Sequence, residues 1–399
     1  MITVSEAYAI LDRAVAPGEV ETVRLADALG RILGADVVSD VDWPPFDTSA
    51  MDGYALSAGE AGANEGLHER PGLVAAGDPP PPPLAPGETV RVMTGAPLPA
   101  GADAVVPIEE IRREAGRVSF ERAPFEGAHL RRRGESVARG TVLLSEASRL
   151  DPIGIALAAL AGVDPVRVRR RPRVAIATTG NELVAVRETP RGGQLRDSNG
   201  PMVEALCRAR GWIVMTRDPV EDEPEAVERL FTEPLGEADA LVTTGGVSAG
   251  DLDLLPPAAE RAGWELLFHR VAVRPGKPVA FARKGKSLWF GLPGNPVSAS
   301  VSFHLFVRSA LDRLEGAQEP GPPRVMARLS RELPPAGPRE TYRDARLVDE
   351  DGERRVEPLP TAGSHDIAAH ARANALIRIP QDGGPLAAGS LVTCVLLER

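Results

Sequence analysis

The run Ala240-Leu-Val-Thr-Thr-Gly-Gly-Val-Ser-Ala-Gly-Asp-Leu-Asp253 constrains this chain more than any other stretch. Its apolar and threonine residues read as a short buried strand. Two glycines then turn the chain, and a prolyl segment from Pro256 opens a helix. A buried strand that passes through glycines into a helix is the unit of an open parallel sheet, whose ligands sit outside the strand C-termini. Glycines there let backbone N–H groups approach a phosphate, and the helix N-terminus favours negative charge. Asp251 and Asp253, at alternate positions, can seat a hard cation beside that phosphate. The same letters also describe a plain tight turn with one aspartate capping the helix. Both readings stand until the rest of the chain is read.

The pattern recurs on either side. Arg173-Val-Ala-Ile-Ala-Thr-Thr-Gly180 is almost continuously apolar, as in a strand buried on both faces. Asn199-Gly-Pro201 starts a helix that Gly211 ends, Trp212 to Met215 is the next strand, and Glu223-Pro224 starts another helix. Leu288 to Leu292 leads into Pro293-Gly-Asn-Pro296, where Asn295 suits an N-cap and Pro296 the first helical position. This alternation predicts a doubly wound α/β domain over 171–318. Its strand ends carry Thr-Thr-Gly-Asn-Glu, Thr-Thr-Gly-Gly and Pro-Gly-Asn-Pro, three loops that converge on one crevice.

The flanks differ. Apolar spacing at Val4, Ala7, Tyr8, Ile10 and Leu11 after Thr3, and again from Leu25 to Leu33, predicts helices. Together with 138–170, where Pro152 to Ala161 is helical, residues 1–41 form a helical N-terminal domain. Residues 42–137 read as an inserted β domain with a hairpin at Glu114-Ala-Gly-Arg117 and a polyproline segment at Pro79 to Pro83. Residues 319–399 read as a C-terminal β domain, a small barrel or sandwich with a two-residue turn at Asp351-Gly352. Arg131-Arg-Arg133 is the most basic cluster, either a solvated face or an anion contact.

Composition narrows the function classes. A length of 399 residues allows two to four domains, and a net charge of −10 argues against a general nucleic-acid or anionic-membrane surface. No run is long and apolar enough to cross a bilayer, and no signal segment is evident, so a cytoplasmic location is expected. Cys207 and Cys394 support neither a disulfide framework nor a metal site, and the six histidines lack ligand spacing. Only three of the basic residues are lysine (Lys277, Lys284, Lys286), a pattern of codon bias. Of the five asparagines, Asn181, Asn199 and Asn295 fall in loops around the opening stretch.

Taken together, six motifs resemble the MoeA family, the molybdopterin molybdenumtransferases, which also includes the gephyrin E domain. They are Pro-Phe-Asp-Thr-Ser-Ala-Met-Asp-Gly-Tyr-Ala (45–55), Met-Thr-Gly-Ala-Pro-Leu-Pro (93–99), Thr-Thr-Gly-Asn-Glu-Leu (178–183), Gly-Gly-Val-Ser (245–248), Arg-Pro-Gly-Lys-Pro (274–278) and Gly-Leu-Pro-Gly-Asn-Pro-Val-Ser (291–298). The resemblance implies an elongated four-domain protomer and a homodimer with a shared cleft. It also implies insertion of molybdenum from molybdate into the dithiolene of adenylylated molybdopterin, with release of AMP and Mg²⁺ assisting.

Carried over position by position, the resemblance makes Asp52, Thr94, Glu182, Asp222 and Asp253 catalytic, with Asp253, Glu182 and Asp222 as metal ligands. Thr179, Gly180, Gly245, Gly246, Ser248, Lys277, Gly294, Asn295 and Pro296 then bind the substrate. Arg270, Arg274, Arg343 and Ser364 bind molybdate. Two departures stand out: Asn181 occupies a place where aspartate is more usual, and Gly134-Glu-Ser136 replaces a Gly-Glu-Asp found in some relatives. These types suit the chemistry, since carboxylates ligate Mg²⁺ and a dianion needs arginine forks and hydroxyl donors. Plainer roles exist for some of them: Asp222 as a charge at a helix N-terminus, Asp253 as a cap, Arg270 as a surface strand residue. A non-catalytic dimeric scaffold of the same fold and a different nucleotide-cleaving enzyme are the competing functions.

Overall fold

The computed structural model describes residues 1–60, 66–216, 219–233, 236–247, 254–350 and 352–397. At its centre is a six-stranded sheet ordered Ile213–Thr216, Arg173–Thr178, Ala240–Thr244, Ser287–Leu292, Ala280–Lys284, Glu265–His269. The first four strands are parallel, and Ala280–Lys284 runs antiparallel to both its neighbours, Ser287–Leu292 and Glu265–His269. Alternate side chains enter opposite cores. Val174, Ile176, Val242 and Phe290 pack with helix Asn199–Ala209 and the helical run 296–314. Ala175, Ala177, Leu241 and Trp289 pack with helices Pro224–Thr232 and Leu255–Arg261. Helices on both faces explain the unbroken apolar strands, and the domain is doubly wound as expected. From Arg173–Thr178 the chain passes to one neighbour and then returns to the other side at Ala240–Thr244. The crevice therefore opens above the ends of those two strands.

The C-terminal residues form a barrel. Arg324–Leu329 pairs with Leu391–Leu396, then Ala375–Ile379, Glu340–Glu350 and Glu353–Pro358 follow, and the last pairs back to the first. A sixth short strand, Val273–Arg274, comes from the α/β domain and lies parallel to the start of Glu340–Glu350. Tyr342, Leu376 and Val395 of the barrel share a core with Phe306 and Leu311, so barrel and α/β domain are packed together.

Two expectations for the N-terminal part need correction. Helix Val4–Ala14 forms as read, closed by a Thr3–Glu6 capping box. Its buried face, Val4, Ala7 and Leu11, however, joins the α/β core and not residues 138–170. From Leu25 to Leu33 only a 3₁₀ turn forms, Leu25–Asp27, because Ile32 and Leu33 are drawn into bridges with Arg149 and Val168. Residues 23–37 and 143–168 do share one small core, in which helix Pro152–Leu160 packs. The inserted region is a six-stranded mixed sheet, ordered Ala104–Pro107, Gly53–Leu56, Glu88–Val92, Leu67–Val74, Arg117–Phe120, Ile111–Glu114. Its hairpin turns through Ala115 and Gly116 at φ 49° and 76°, the left-handed pair such two-residue loops need.

Candidate functional site

The three loops meet. Thr179 N–H donates to Thr244 O at 2.9 Å, and a Cβ on Gly245 would lie 2.4 Å from Thr179 O. A Cβ on Gly294 would lie 3.8 Å from Gly245 Cα, and Gly294 O accepts from Asn199 Nδ2 at 2.7 Å. At Gly245 only a residue without a side chain lets the two strand ends close this tightly, while Gly294 leaves room for a Cβ. The Gly245 N–H is already bound to Leu292 O at 3.0 Å, so it is not a phosphate donor as the sequence suggested. Ser248, Asp251 and Asp253 lie outside the described residues.

Two acids stand at the rim of the crevice. Asn181 Oδ1 accepts the Asp222 N–H at 3.0 Å, which ties the Glu182 loop to the approach of helix Pro224–Thr232. Burial holds the Asp222 carboxyl above the usual range and the Glu182 charge pushes the same way, against a hydrogen bond from the Asn181 backbone. Sequence reading overlooked Asp197. Its carboxylate accepts from Thr178 Oγ1 at 3.0 Å and Gly200 N–H at 2.9 Å, pinning the 197–200 turn to the end of the first strand. Its signal was an Asp-Ser-Asn-Gly turn run just ahead of a helix.

From Asn295 the site continues into the barrel. The residue occupies the N-cap position of helix Pro296–Ser302 but makes no capping bond; its Nδ2 donates to Ser364 Oγ at 3.0 Å. Val297 N–H is satisfied instead by Ser364 O at 3.1 Å. Beside this link lies a cleft of about 780 Å³ between the α/β domain and the barrel. Arg274, Lys277, Asn295, Arg343 and Ser364 all line it, joined by Arg339, Ser298 and His365, which the sequence reading did not select. The side chains of Arg274, Lys277, Arg339 and Arg343 form no ion pair among the described residues, and Arg343 Nε is buried without a partner. Four cations in one concavity, with no acid paired to them among the described residues, favour an oxyanion. Arg270 does not line the cleft; it occupies a turn at φ 73°.

Asp52 and Thr94 are paired elsewhere. Asp52 Oδ1 accepts both the Thr94 N–H at 2.7 Å and its hydroxyl at 2.8 Å, at the exposed end of the inserted sheet. Those bonds, the backbone one foremost, hold the Asp52 carboxyl below its usual range. Gly53 is required there, since a Cβ would lie 2.1 Å from Val106 O. Among the described residues neither Asp52 nor Thr94 bonds to the α/β domain. Two arginines of the run are paired locally, Arg133 Nε on Asp42 at 2.7 Å and Arg132 on Asp47 at 3.1 Å.

Comparison with known proteins agrees with this layout. The chain matches the MoeA N-terminal region (domains I and II) over residues 2–162, a probable molybdopterin-binding domain over 175–313, and the MoeA C-terminal region (domain IV) over 326–397. It is 33% identical to a molybdopterin molybdenumtransferase of Haemophilus influenzae, covering 98% of both chains. A Bacillus subtilis protein of the same name is 34% identical over 96% of this chain and 91% of its own. The crystal structure of a molybdopterin biosynthesis MoeA protein from Pyrococcus horikoshii superposes with a TM-score of 0.83, at 27% identity and full coverage of both chains. With three such regions matched in succession and relatives of this name covered almost end to end, the chain belongs to the MoeA family of molybdopterin molybdenumtransferases, which serves molybdenum cofactor biosynthesis.

Proposed function

We propose that this chain inserts molybdenum from molybdate into the dithiolene of adenylylated molybdopterin and releases AMP. The observation that carries this reading is the cleft with its four cations that meet no acid among the described residues, joined through Ser364, Asn295 and Gly294 to the glycine loops of the crevice. Molybdate binds between Arg274, Lys277 and Arg343 with the Ser364 hydroxyl as donor. The nucleotide-pterin lies across Thr179, Gly180, Gly246, Ser248 and Gly294, with its phosphate toward the strand ends. AMP release from adenylylated molybdopterin, molybdate and Mg²⁺ is the direct test; a protein that binds the nucleotide and never releases AMP is a scaffold instead.

Glu182 and Asp222 fit a divalent cation, because a carboxylate that burial first and a neighbouring acid second both disfavour in its charged form is relieved by Mg²⁺. Bound there, Mg²⁺ supplies charge neutralisation at the substrate phosphate. No group of three metal-ligating side chains occurs among the described residues, so Asp253 is proposed as the third acid. Asn181 orients this pair by holding the Asp222 backbone.

Two tests follow from these assignments. Arg274→Ala removes one charge-assisted contact of about 1.5–3 kcal/mol. The molybdate requirement is expected to rise roughly 10- to 150-fold with nucleotide affinity unchanged; an unaltered molybdate dependence argues against the cleft as the oxyanion site. The second concerns assembly. Asp52 and Thr94 sit apart from the crevice, and helix Pro152–Leu160 is apolar all round, with Ile153 69% exposed. A homodimer buries that helix and brings the partner subunit's inserted sheet to the crevice. Ile153→Glu is expected to shift sedimentation to the monomer and lower AMP release; a fully active monomer removes this part of the reading.

A further inference from the structure

The cationic cleft contains one group that an oxyanion should not tolerate. Asp344 is 4% exposed and lines the cleft beside Arg343. Its Oδ1 meets His370 Nδ1 at 2.7 Å, and His370 Nε2 meets Ser300 Oγ at 2.9 Å. Ser300 and His370 are also buried, so the three form a closed relay from helix Pro296–Ser302 through helix Ile367–His370 to strand Glu340–Glu350. Asp344 Oδ2 has no hydrogen-bond partner among the described residues, and Asp344 is the member of the relay that lines the cleft. A bare carboxylate there accepts a hydrogen from a protonated oxyanion and repels a fully ionised one such as molybdate.

We propose that Asp344 and His370 form a one-proton dyad, so that a fully ionised oxyanion enters the cleft together with a proton. With that proton on the dyad, the Asp344 charge is cancelled by imidazolium or its Oδ2 becomes a donor, and either state admits the dianion. Ser300 is a positioning residue that holds the imidazole in line. The charged and titratable groups around the dyad are His304 and Arg308 on the packed helix, His365, Asp366 and Arg372 near His370 in the chain, Arg343 next to Asp344 on its strand, and Arg274, Lys277 and Arg339 of the cleft. His304 stays neutral, pushed down to about 3 mainly by burial, so it does not supply the proton.

This inference rests on the cleft being the molybdate site, and one calorimetric experiment separates the two. Molybdate is titrated into the full-length protein in buffers of different ionisation enthalpy, across the neutral pH range. The expected result is uptake of one proton per anion, with affinity falling about tenfold per pH unit once the dyad has lost its proton. Asp344→Asn is expected to bind without proton uptake and with flat pH dependence, because its amide donates permanently. His370→Gln, a second variant should the first fold poorly, is expected to weaken binding at neutral pH by roughly tenfold. Binding that requires Arg274 but takes up no proton overturns the dyad alone; no molybdate binding at all overturns both readings.

Discussion

Replacing Asp222 by Asn is expected to cut AMP release roughly 100- to 1000-fold while leaving the folded protein as stable as before, or more so. The first figure is what a preorganised electrostatic contact commonly contributes, about 2.7–4 kcal/mol. The second follows from sign. Asp222 has its carboxyl raised in the folded state, by burial first and Glu182 second. The folded protein therefore holds that proton more tightly than the unfolded chain, and stability falls as pH rises from the ordinary carboxylate range through the raised value. At neutral pH the wild type carries an ionised pair of acids that the Asn variant lacks. Melting curves should show an equal or higher Tm for Asp222→Asn, with a flatter pH dependence in the acid range. Mg²⁺ should raise the Tm of the wild type and not that of the variant, since a ligand stabilises only the state that binds it. A large loss of Tm in Asp222→Asn would return the residue to a structural role ahead of helix Pro224–Thr232.

Gly245→Ala is the second substitution with a large expected effect. The glycine sits at φ 92°, and an added Cβ meets Thr179 O at 2.4 Å and Thr179 Oγ1 at 2.8 Å. The neighbour is backbone of the adjacent strand end, so the clash is relieved only by parting the two strands at the crevice. Gly285 is the matched control, with φ 60° and nothing within 4 Å of its added Cβ. Both variants carry the backbone cost of a left-handed alanine, about 1 kcal/mol. Gly245→Ala should lose about 1–3 kcal/mol beyond it and bind adenylylated molybdopterin at least tenfold more weakly. Equal stability and equal nucleotide binding in the two variants would mean the loops do not close on one another as described.

How far the sequence reached can be judged at particular residues. The doubly wound domain was legible because burial on both sheet faces demands unbroken apolar strands, and Arg173–Thr178 and Ala240–Thr244 carry that demand locally. The Thr3 cap and the Ala115-Gly116 hairpin were legible for the same reason: each is decided by a few neighbouring residues. Leu25 to Leu33 was misread because its apolar spacing also suits bridges to Arg149 and Val168, more than a hundred residues away. Local periodicity cannot weigh a partner so distant. Asn295 looked like a cap from its position ahead of Pro296, but the side chain turned to Ser364, a choice made only once the barrel is docked.

The site divides along the same line. The resemblance to the family's motifs nominated Arg274, Lys277, Arg343 and Ser364, and the fold gathers all four in one cleft. Which neighbours complete the cleft was a tertiary decision. Arg339, His365 and Asp344 enter it because the short strand Val273–Arg274 pairs with Glu340–Glu350 and sets the barrel against the α/β domain. The Gly245 amide was lost as a candidate donor by the register of Ala240–Thr244 against Ser287–Leu292, which hands it to Leu292 O. The sequence by itself determined the elements, the glycine turns and the charge types, because these depend on neighbours within a few residues. Tertiary structure decided which charges stay unpaired and which carboxylates face each other, because pairing depends on distances between segments that only packing brings together.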